Sequence, residues 1–184
     1  MRALIDQLEQ SLDTGLYYLS LFTALTIPDI GGALDSNDGQ AGGDRYKAWY
    51  ETWVRPRFRE NVLQELPSDI RKHLRTLENP LDGDACYRFR CSLLHQGSSQ
   101  HPKSRFSRIM FIEPGATTNV VHYGTMNDAL CIDLKAFCRE VIQGARLWLD
   151  QVEPTARFKA NYGRFARRHL QGIQPYIAGV PVVG

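Results

Sequence analysis

The stretch YRFRCSLLHQGSSQHPKS, residues 87–104, contains the side chains of this chain that are best suited to chemistry. Arg88, Arg90 and His95 fall within about two turns of a helix that the surrounding pattern predicts. A histidine titrates at a pKa of about 6.5 and can give or take a proton near neutral pH. An arginine guanidinium can stabilise negative charge that develops on a bound phosphate. These side chains together could serve proton transfer next to an anion.

The predicted helix covers residues near 84–96 and ends before a glycine, which suits the left-handed position after a helix. Successive residues turn by about 100°, so Phe89, Leu93 and Leu94 form an apolar arc. Arg90 projects within that arc. Because a buried charge without a partner is costly, we expect Arg90 to contact a carboxylate, a carbonyl or an anion held in a cleft.

Asp29 and Asp44 are candidate carboxylate partners for Arg90. By the same helical geometry, His95 lies on the opposite side of the helix, in its last turn. An imidazole in that place can cap free carbonyls and interact favourably with the helix dipole. The two residues could therefore be structural, and the chemical interpretation requires both side chains to face one solvent-reachable cleft.

The four cysteines lie in apolar patterns, at Cys86, Cys91, Cys131 and Cys138. A chain of this size without a secretion signal does not need disulfides, so we expect free buried thiols. The alternative is a metal site built from Cys86, Cys91, His95 and His101. The spacing C-x4-C-x3-H-x5-H lacks the long spacer between ligand pairs that zinc motifs have. We therefore expect no metal and no cofactor.

The segment RCSLLHQG, residues 90–97, resembles the motif of the HEPN superfamily of nucleotide-binding and ribonuclease domains. It has R-x4-H spacing from Arg90 to His95 and a Leu-Leu-His-Gln-Gly ending late in a helix. Arg88 offers a second arginine at R-x6-H spacing, and Cys91 stands where the family often has Asn. The resemblance implies a small helical domain whose Arg and His form a site, usually at a cleft between two such units.

By this resemblance, Arg90 and His95 are the expected catalytic pair of a metal-independent ribonuclease. The expected site neighbours are Arg88, Ser92, Gln96 and His101. His95 would move the proton of a ribose 2′-hydroxyl or of the leaving 5′-oxygen, while Arg90 would stabilise the transition state. The product would carry a 2′,3′-cyclic phosphate, and DNA would resist cleavage. The alternative is a non-catalytic module that binds RNA, a nucleotide or a regulatory protein such as an antitoxin.

A longer extent of the chain resembles a bacterial protein family of unassigned activity. This resemblance runs through ALTIPDIGGALDSNDGQAGG, SLLHQGSSQHPKS and FIEPGATTNVVH. It bears on the fold more than on the function.

Apolar periodicity predicts a mainly α-helical bundle. A first long helix should end or bend at Pro28, with an apolar face made by Ile5, Leu8, Leu12, Leu16, Leu19 and Phe22. A second helix should run up to Pro56, with an aromatic face made by Tyr46, Trp49, Tyr50 and Trp53. A further short helix should open at Pro67 or Ser68.

One small β-hairpin is predicted over about 108–123, where apolar runs flank the sequence Glu113-Pro114-Gly115-Ala116. Pro at the second position and Gly at the third suit a type II turn. A second long helix should follow, opening at Thr125-Met126-Asn127-Asp128 and carrying an apolar face from Leu130 to Leu149.

The segment TARFKANYGRFARRHLQ predicts a basic helix beyond Pro154. Arg157, Arg164 and Arg168 would share one stripe of it, which could contact nucleic-acid phosphates or be a solvated face.

The chain carries a net charge of +2, divided into −5 over residues 1–84 and +7 over 85–184. An anionic partner is therefore worth testing. We expect an HEPN-like domain over 1–153 and a basic helix and tail over 154–184 docked on it.

The composition is typical of a globular chain: 184 residues, 43% hydrophobic and 23% charged. Acidic residues interrupt the apolar N-terminus, at Asp6, Glu9 and Asp13, so it lacks the run of a signal peptide or membrane span. We therefore expect a cytoplasmic protein without a membrane partner. Wide apolar faces and the family resemblance lead us to expect a homodimer, with RNA as the candidate ligand.

Overall fold

The computed structural model describes residues 1–65, 78–117 and 122–184, and these residues are mainly α-helical. The helices are α1 (Arg2–Asp13), α2 (Tyr17–Leu34), α3 (Gly43–Trp53), α4 (Arg55–Glu65), α5 (Gly83–Gln96), α6 (Leu134–Val152) and α7 (Ala156–Tyr162). The strands are β1 (Arg108–Ile112), β2 (Gly124–Met126), β3 (Ala129–Asp133), β4 (Arg168–His169), β5 (Gly172–Ile173), β6 (Ile177–Ala178) and β7 (Val182–Val183). The short helix predicted to open at Pro67 or Ser68 lies outside the described residues.

The N-terminal apolar pattern forms two helices, so the prediction of one long helix is wrong. α1 ends at Asp13, and the chain turns through Gly15, whose φ is +78°, before α2 begins at Tyr17. Glycine adopts this left-handed conformation without the steric cost of a Cβ atom. α1 then folds back on α2 and also packs on α6. Pro28 lies inside α2, where it removes one backbone hydrogen bond without ending the helix.

α5 confirms the helix predicted for the chemical motif. The Asp82 side chain caps its start by accepting a hydrogen bond from the Ala85 amide at 2.8 Å. Gly97 ends it with a φ of +65°, and its amide donates to the Leu93 carbonyl at 3.0 Å. Phe89 is buried on the face that packs against the rest of the core. α5 is thereby fixed against α3 and α2.

The strands β1, β3 and β2 form a three-stranded sheet in that order, so the hairpin predicted over 108–123 is wrong. β1 pairs in parallel with β3, and β2 pairs antiparallel with β3. The predicted type II turn does form, since the Ala116 amide donates to the Glu113 carbonyl and Gly115 has a φ of +77°. The turn does not return the chain onto β1, because the nearly fully buried strand β3 pairs with β1 instead.

The second long helix begins at Leu134, nine residues after the Thr125 start that the sequence indicated. The intervening residues form β2 and β3, joined through Asn127 and Asp128, whose φ angles of 47° and 64° suit a tight hairpin turn. Asp133 caps α6 by accepting a hydrogen bond from the Ala136 amide at 2.7 Å. α6 then buries a long apolar face against α1, α2, α3 and α4.

The C-terminal basic helix is shorter than predicted. α7 ends at Tyr162, so Arg164 and Arg168 lie beyond it and the three arginines do not form one helical stripe. The chain leaves the helix at Gly163, a poor helix former. Beyond it, β4 pairs with β7 and β5 pairs with β6. α7 packs on α2.

Aromatic side chains tie the helices together. The predicted aromatic face of α3 is confirmed, because Tyr46, Trp49 and Tyr50 are buried. Trp148 of α6 packs edge-to-face on Trp49 and on Phe158 of α7, with ring centroids 5.6 and 5.7 Å apart. Across the three described ranges, no helix is long and apolar enough to cross a membrane.

Candidate functional site

Arg90 and His95 contact each other at the end of α5. Nη1 of Arg90 lies 2.9 Å from Nε2 of His95. The sequence analysis placed the two side chains on opposite sides of the helix, but five residues rise by only about 7.5 Å, which an arginine side chain can span. Because a guanidinium can only donate, Nε2 of His95 is the acceptor and the imidazole is neutral in this arrangement.

Asp29 holds Arg90 from the neighbouring helix α2. Oδ2 of Asp29 lies 2.7 Å from Nε of Arg90, and the two side chains are only 16% and 19% exposed. Burial raises the pKa of Asp29, although Arg90 opposes that rise. Burial lowers the pKa of Arg90, but Asp29 and Cys91 outweigh it and the net shift is upward. Arg90 is therefore a fixed cation. The other candidate partner, Asp44, is fully exposed and lies 3.7 Å from Nζ of Lys47.

Cys91 lies beside the guanidinium group of Arg90. Its Sγ atom is 3.9 Å from Nη1 of Arg90, and the side chain is half-buried. A hydrogen bond with Cys91, together with burial, raises the pKa of the Tyr87 hydroxyl. A thiol is a weak hydrogen-bonding group, so Cys91 orients the arginine only weakly.

The other predicted site residues engage different groups. Arg88 forms an ion pair with Asp84 one turn earlier in α5. Ser92 is buried, and its hydroxyl has no hydrogen-bond partner among the described residues. Gln96 is exposed, and Nδ1 of His101 accepts a hydrogen bond from the Lys103 amide at 3.1 Å. Of the two arginines that the motif offered, Arg90 is the one in contact with His95.

The cysteine and histidine side chains considered as metal ligands are not gathered at one place. Within the described part of the chain, no group of three or more His, Cys, Asp or Glu side chains could hold a metal ion. Cys86 is fully buried, with Sγ 3.3 Å from the Tyr46 hydroxyl. Burial raises the pKa of the Cys86 thiol to about 12, which disfavours the thiolate that metal binding requires. All four cysteines are free thiols.

A buried polar cluster, formed by His122, Tyr123 and Glu140, is absent from the sequence predictions. The Tyr123 hydroxyl donates to Oε2 of Glu140 at 2.6 Å, and Nε2 of His122 lies 3.1 Å from Oε1. The Asp133 amide donates to Nδ1 of His122 at 3.2 Å, so His122 donates through Nε2 to Glu140. Glu140 is only 2% exposed, and burial raises its pKa against the opposing effects of His122 and Tyr123.

One sequence signal could have revealed Glu140. Glu140 lies three residues after Phe137 and four before Gly144, on the buried face of α6. An acidic residue on a buried face needs hydrogen-bond donors around it. The donors themselves come from the chain just before β2, and no local pattern connects that segment to α6.

Two clefts in the described part of the molecule were compared with the Arg90–His95 contact. The larger, of about 470 Å³, lies between α2 and α3 beside α7. The smaller, of about 310 Å³, is an apolar cleft between α2, α5 and β1. Neither is lined by Arg90 or His95.

No family model, curated protein or solved structure matches the chain.

Proposed function

We propose that this protein is a metal-independent endoribonuclease of HEPN type, with His95 and Arg90 as its catalytic residues. The observation that carries the proposal is the 2.9 Å contact between Nη1 of Arg90 and Nε2 of His95. It joins a group able to transfer protons to a permanent cation. Asp29 lies 2.7 Å from Nε of this cation, and the proposal assigns Nη2, for which no described residue is an acceptor, to the substrate phosphate.

The proposed reaction uses the RNA itself as the nucleophile. His95 takes the proton of a ribose 2′-hydroxyl, the 2′-oxygen attacks the adjacent phosphorus, and the bond to the 5′-oxygen breaks. The leaving 5′-oxygen then receives a proton from the imidazolium of His95 that the first step forms. The products are a 2′,3′-cyclic phosphate and a 5′-hydroxyl. Arg90 stabilises the additional negative charge on the phosphorane-like transition state. For this step, the substrate phosphate must replace His95 as the acceptor of the hydrogen bond from Nη1 of Arg90.

We further propose that two copies associate with their α5 helices near a two-fold axis. His95 is exposed, and the two clefts above do not include it, so a second copy is the proposed source of the missing wall. Light scattering at micromolar concentration should give twice the 20.9 kDa chain mass. A monomeric mass would count against a composite site.

The central experiment compares RNA cleavage by the wild type, His95→Ala and His101→Ala. His101 is the matched control, because it is a nearby histidine whose hydrogen bonds to described residues stay within its own loop. With a chelator present to suppress contaminating metal nucleases, His95→Ala should lower the rate by a factor of about 10²–10⁴, while His101→Ala should change it little. The product ends should be 2′,3′-cyclic phosphates, and a DNA pool should remain intact.

Arg90 and Arg88 provide a second matched pair. Arg90→Ala should abolish cleavage, whereas Arg88→Ala should retain it, since Arg88 pairs with Asp84 away from His95. Because Arg90→Ala also leaves Asp29 unpaired, the unfolding of each variant must be measured beside its activity. Equal RNA degradation by wild type and folded His95→Ala, or none by either, would overturn the ribonuclease proposal.

The second candidate is a non-catalytic RNA-binding, nucleotide-binding or regulatory module. The ion pair between Arg90 and Asp29 favours it, because that contact also gives the arginine a purely structural role. This alternative predicts RNA binding or capture of a protein partner with no cleavage by the wild-type chain.

A further inference from the structure

The larger cleft, between α2 and α3, combines charged and aromatic walls. It has a volume of about 470 Å³, within the range of small-molecule sites. The residues that matter for the argument are Asp35, Arg45, Trp49, Trp53 and Arg157. Tyr46, whose hydroxyl contacts Cys86 of α5, is not among the residues that line it.

The rim of the cleft is held rigidly by hydrogen bonds. The loop after α2 looks flexible in sequence, yet the Asn161 amide donates to the carbonyls of Leu34 and Ser36 at 3.0 and 2.7 Å. The Ser36 hydroxyl donates to Asp38 and accepts from the Gly39 amide. The cleft is therefore formed before any ligand arrives, which lowers the ordering cost of binding.

Two guanidinium groups stand at this rim with donors to spare. Arg157 uses Nη2 for Asp35 at 3.0 Å and Nη1 for Asn37 at 3.4 Å, and its side chain remains 51% exposed. Arg45 binds Asp38 through both Nη atoms. The hydrogen bonds of the described residues leave Nε of each arginine free, and Asp35 is the one carboxylate among the lining residues. Asp38 balances Arg45 from just outside the lining, so the charges of the two arginines are matched by two carboxylates and the free Nε donors are what remains for an anion.

The α3 wall of the cleft, which also carries Arg45, is aromatic and rigid. Trp53 is half-buried at the end of α3, and Trp49, one turn earlier, is buried and packs edge-to-face on Trp148. A flat ring can stack on such a wall, while a carboxylate or phosphate accepts paired hydrogen bonds from a guanidinium fork.

We propose that the cleft between α2 and α3 binds a small planar aromatic anion, with its ring against Trp53 and its carboxylate or phosphate at Arg157 and Arg45. This site is separate from the Arg90–His95 pair and does not depend on the ribonuclease proposal. The same chemistry is found in aromatic acids and in nucleoside monophosphates, so the test contains one arm for each.

The test is calorimetric titration of the full-length chain with indole-3-carboxylate, benzoate and AMP. Cyclohexanecarboxylate serves as the non-planar control ligand. At least one aromatic anion should bind with a Kd below about 1 mM. Arg157→Gln and Trp53→Leu should each weaken that binding at least tenfold. Arg139→Gln, which changes an exposed arginine of α6, should leave it unchanged, as should His95→Ala.

Binding by the carboxylates alone identifies an aromatic-acid site, and binding by AMP alone identifies a nucleotide site; both support the proposal. Absence of binding by all three probes overturns it. Equal affinity for cyclohexanecarboxylate overturns it too, because the aromatic wall then confers nothing. Binding that survives Arg157→Gln but is lost in His95→Ala places the ligand elsewhere and likewise contradicts the proposal.

Discussion

Asp29 fixes the position of the proposed catalytic arginine. Its carboxylate lies 2.7 Å from Nε of Arg90, while Nη1 of the same guanidinium contacts His95. The contact is an ion pair without an aligned hydrogen bond, because Oδ2 of Asp29 and Nε of Arg90 are buried and have no hydrogen-bond partner among the described residues. The attraction of the two charges keeps the guanidinium beside α2. Asp29 is therefore a positioning residue in the proposed reaction.

Asp29→Asn should lower both stability and the proposed activity. An amide retains the shape but leaves Arg90 without its anion, so we expect the free energy of unfolding to fall by about 1.5–3 kcal/mol. RNA cleavage at substrate saturation should fall with it, because the guanidinium is no longer held. Asp44→Asn is the control, since that carboxylate is fully exposed. Urea unfolding and cleavage assays on both variants measure the two effects, and equal behaviour of the two variants would contradict the positioning role.

Glu140 makes the free energy of unfolding depend on pH. Its ordinary pKa is 4.5, and burial raises the pKa in the folded protein. Between those two values the folded protein holds a proton that the unfolded chain has released, so the free energy of unfolding falls as pH rises through this window. Glu140→Gln should make that decline shallower, and the part that remains belongs to other carboxyl groups with a raised pKa, such as Asp29. Glu113→Gln, at an exposed position, should keep it. Urea unfolding from pH 4 upward tests this, and an unchanged slope in Glu140→Gln would contradict it.

The family resemblance singled out Arg90 and His95, and the apolar arc of the helix led to Asp29 as one candidate partner of Arg90, because a buried charge must be compensated. It did not predict the direct contact, since a helical wheel records only the direction in which a side chain leaves the backbone. It also missed the cluster of His122, Tyr123 and Glu140, which depends on pairing between distant segments.

α6 crosses the junction of α3 and α4 at Gly144. A Cβ atom at position 144 would overlap the carbonyl oxygen of Trp53, at the end of α3. α6 therefore approaches α3 more closely than a residue other than glycine at position 144 would allow. The glycine has a packing role, distinct from the left-handed glycines that end helices.

Gly144→Ala should lower the free energy of unfolding by about 1–3 kcal/mol, because the added methyl group forces backbone apart in a packed core. Gly163→Ala is the matched control, since its nearest Cβ contact would be 3.4 Å and its φ of −59° suits any residue. That change should be neutral or stabilising by up to about 1 kcal/mol. Thermal unfolding of both variants measures this difference. If the two variants are equally stable, small shifts relieve the close approach at Gly144 and the prediction is wrong.

Elements with local signals were predicted well, and those with distant partners were not. The α5 helix has its cap and terminating glycine beside it in the sequence, and the type II turn at Gly115 is likewise local. The pairing of β1 with β3 brings together residues separated by an intervening strand, so the run ALCID was assigned to a helix. A short apolar run has no periodicity that distinguishes a buried strand from a helix.

The charge of the whole molecule is divided along the chain, and its C-terminal arginines partly compensate the acidic half. Arg157 pairs with Asp35, and Arg164 donates to the Asp38 carbonyl and to Asn161. Arg168 lies exposed in β4 and forms no ion pair within the described ranges. Two of the three arginines proposed to bind RNA thus also fasten the C-terminal region to the end of α2.

Changing Arg157, Arg164 and Arg168 together to Gln should weaken RNA binding and flatten its dependence on salt, because fewer counterions are displaced. Arg168→Gln alone should reduce the salt slope by about 1, the effect of one lost phosphate contact. Arg139→Gln provides the control for a change of charge elsewhere. Affinities measured across a salt series would contradict the proposed contact if the triple variant retained the wild-type slope.

The hydrogen bonds of His122 fix which ring nitrogen carries its hydrogen. Nδ1 accepts from the Asp133 amide and Nε2 faces Glu140, so His122 is the Nε2–H tautomer, whereas neutral His95 must be the Nδ1–H tautomer because Nε2 accepts from Arg90. Long-range ¹⁵N correlation spectra near neutral pH should therefore show opposite protonation patterns for the two rings. The His122 pattern should persist in the Arg90→Lys variant, while that of His95 should move towards an average of the two tautomers. This would give each histidine a spectroscopic signature of its own.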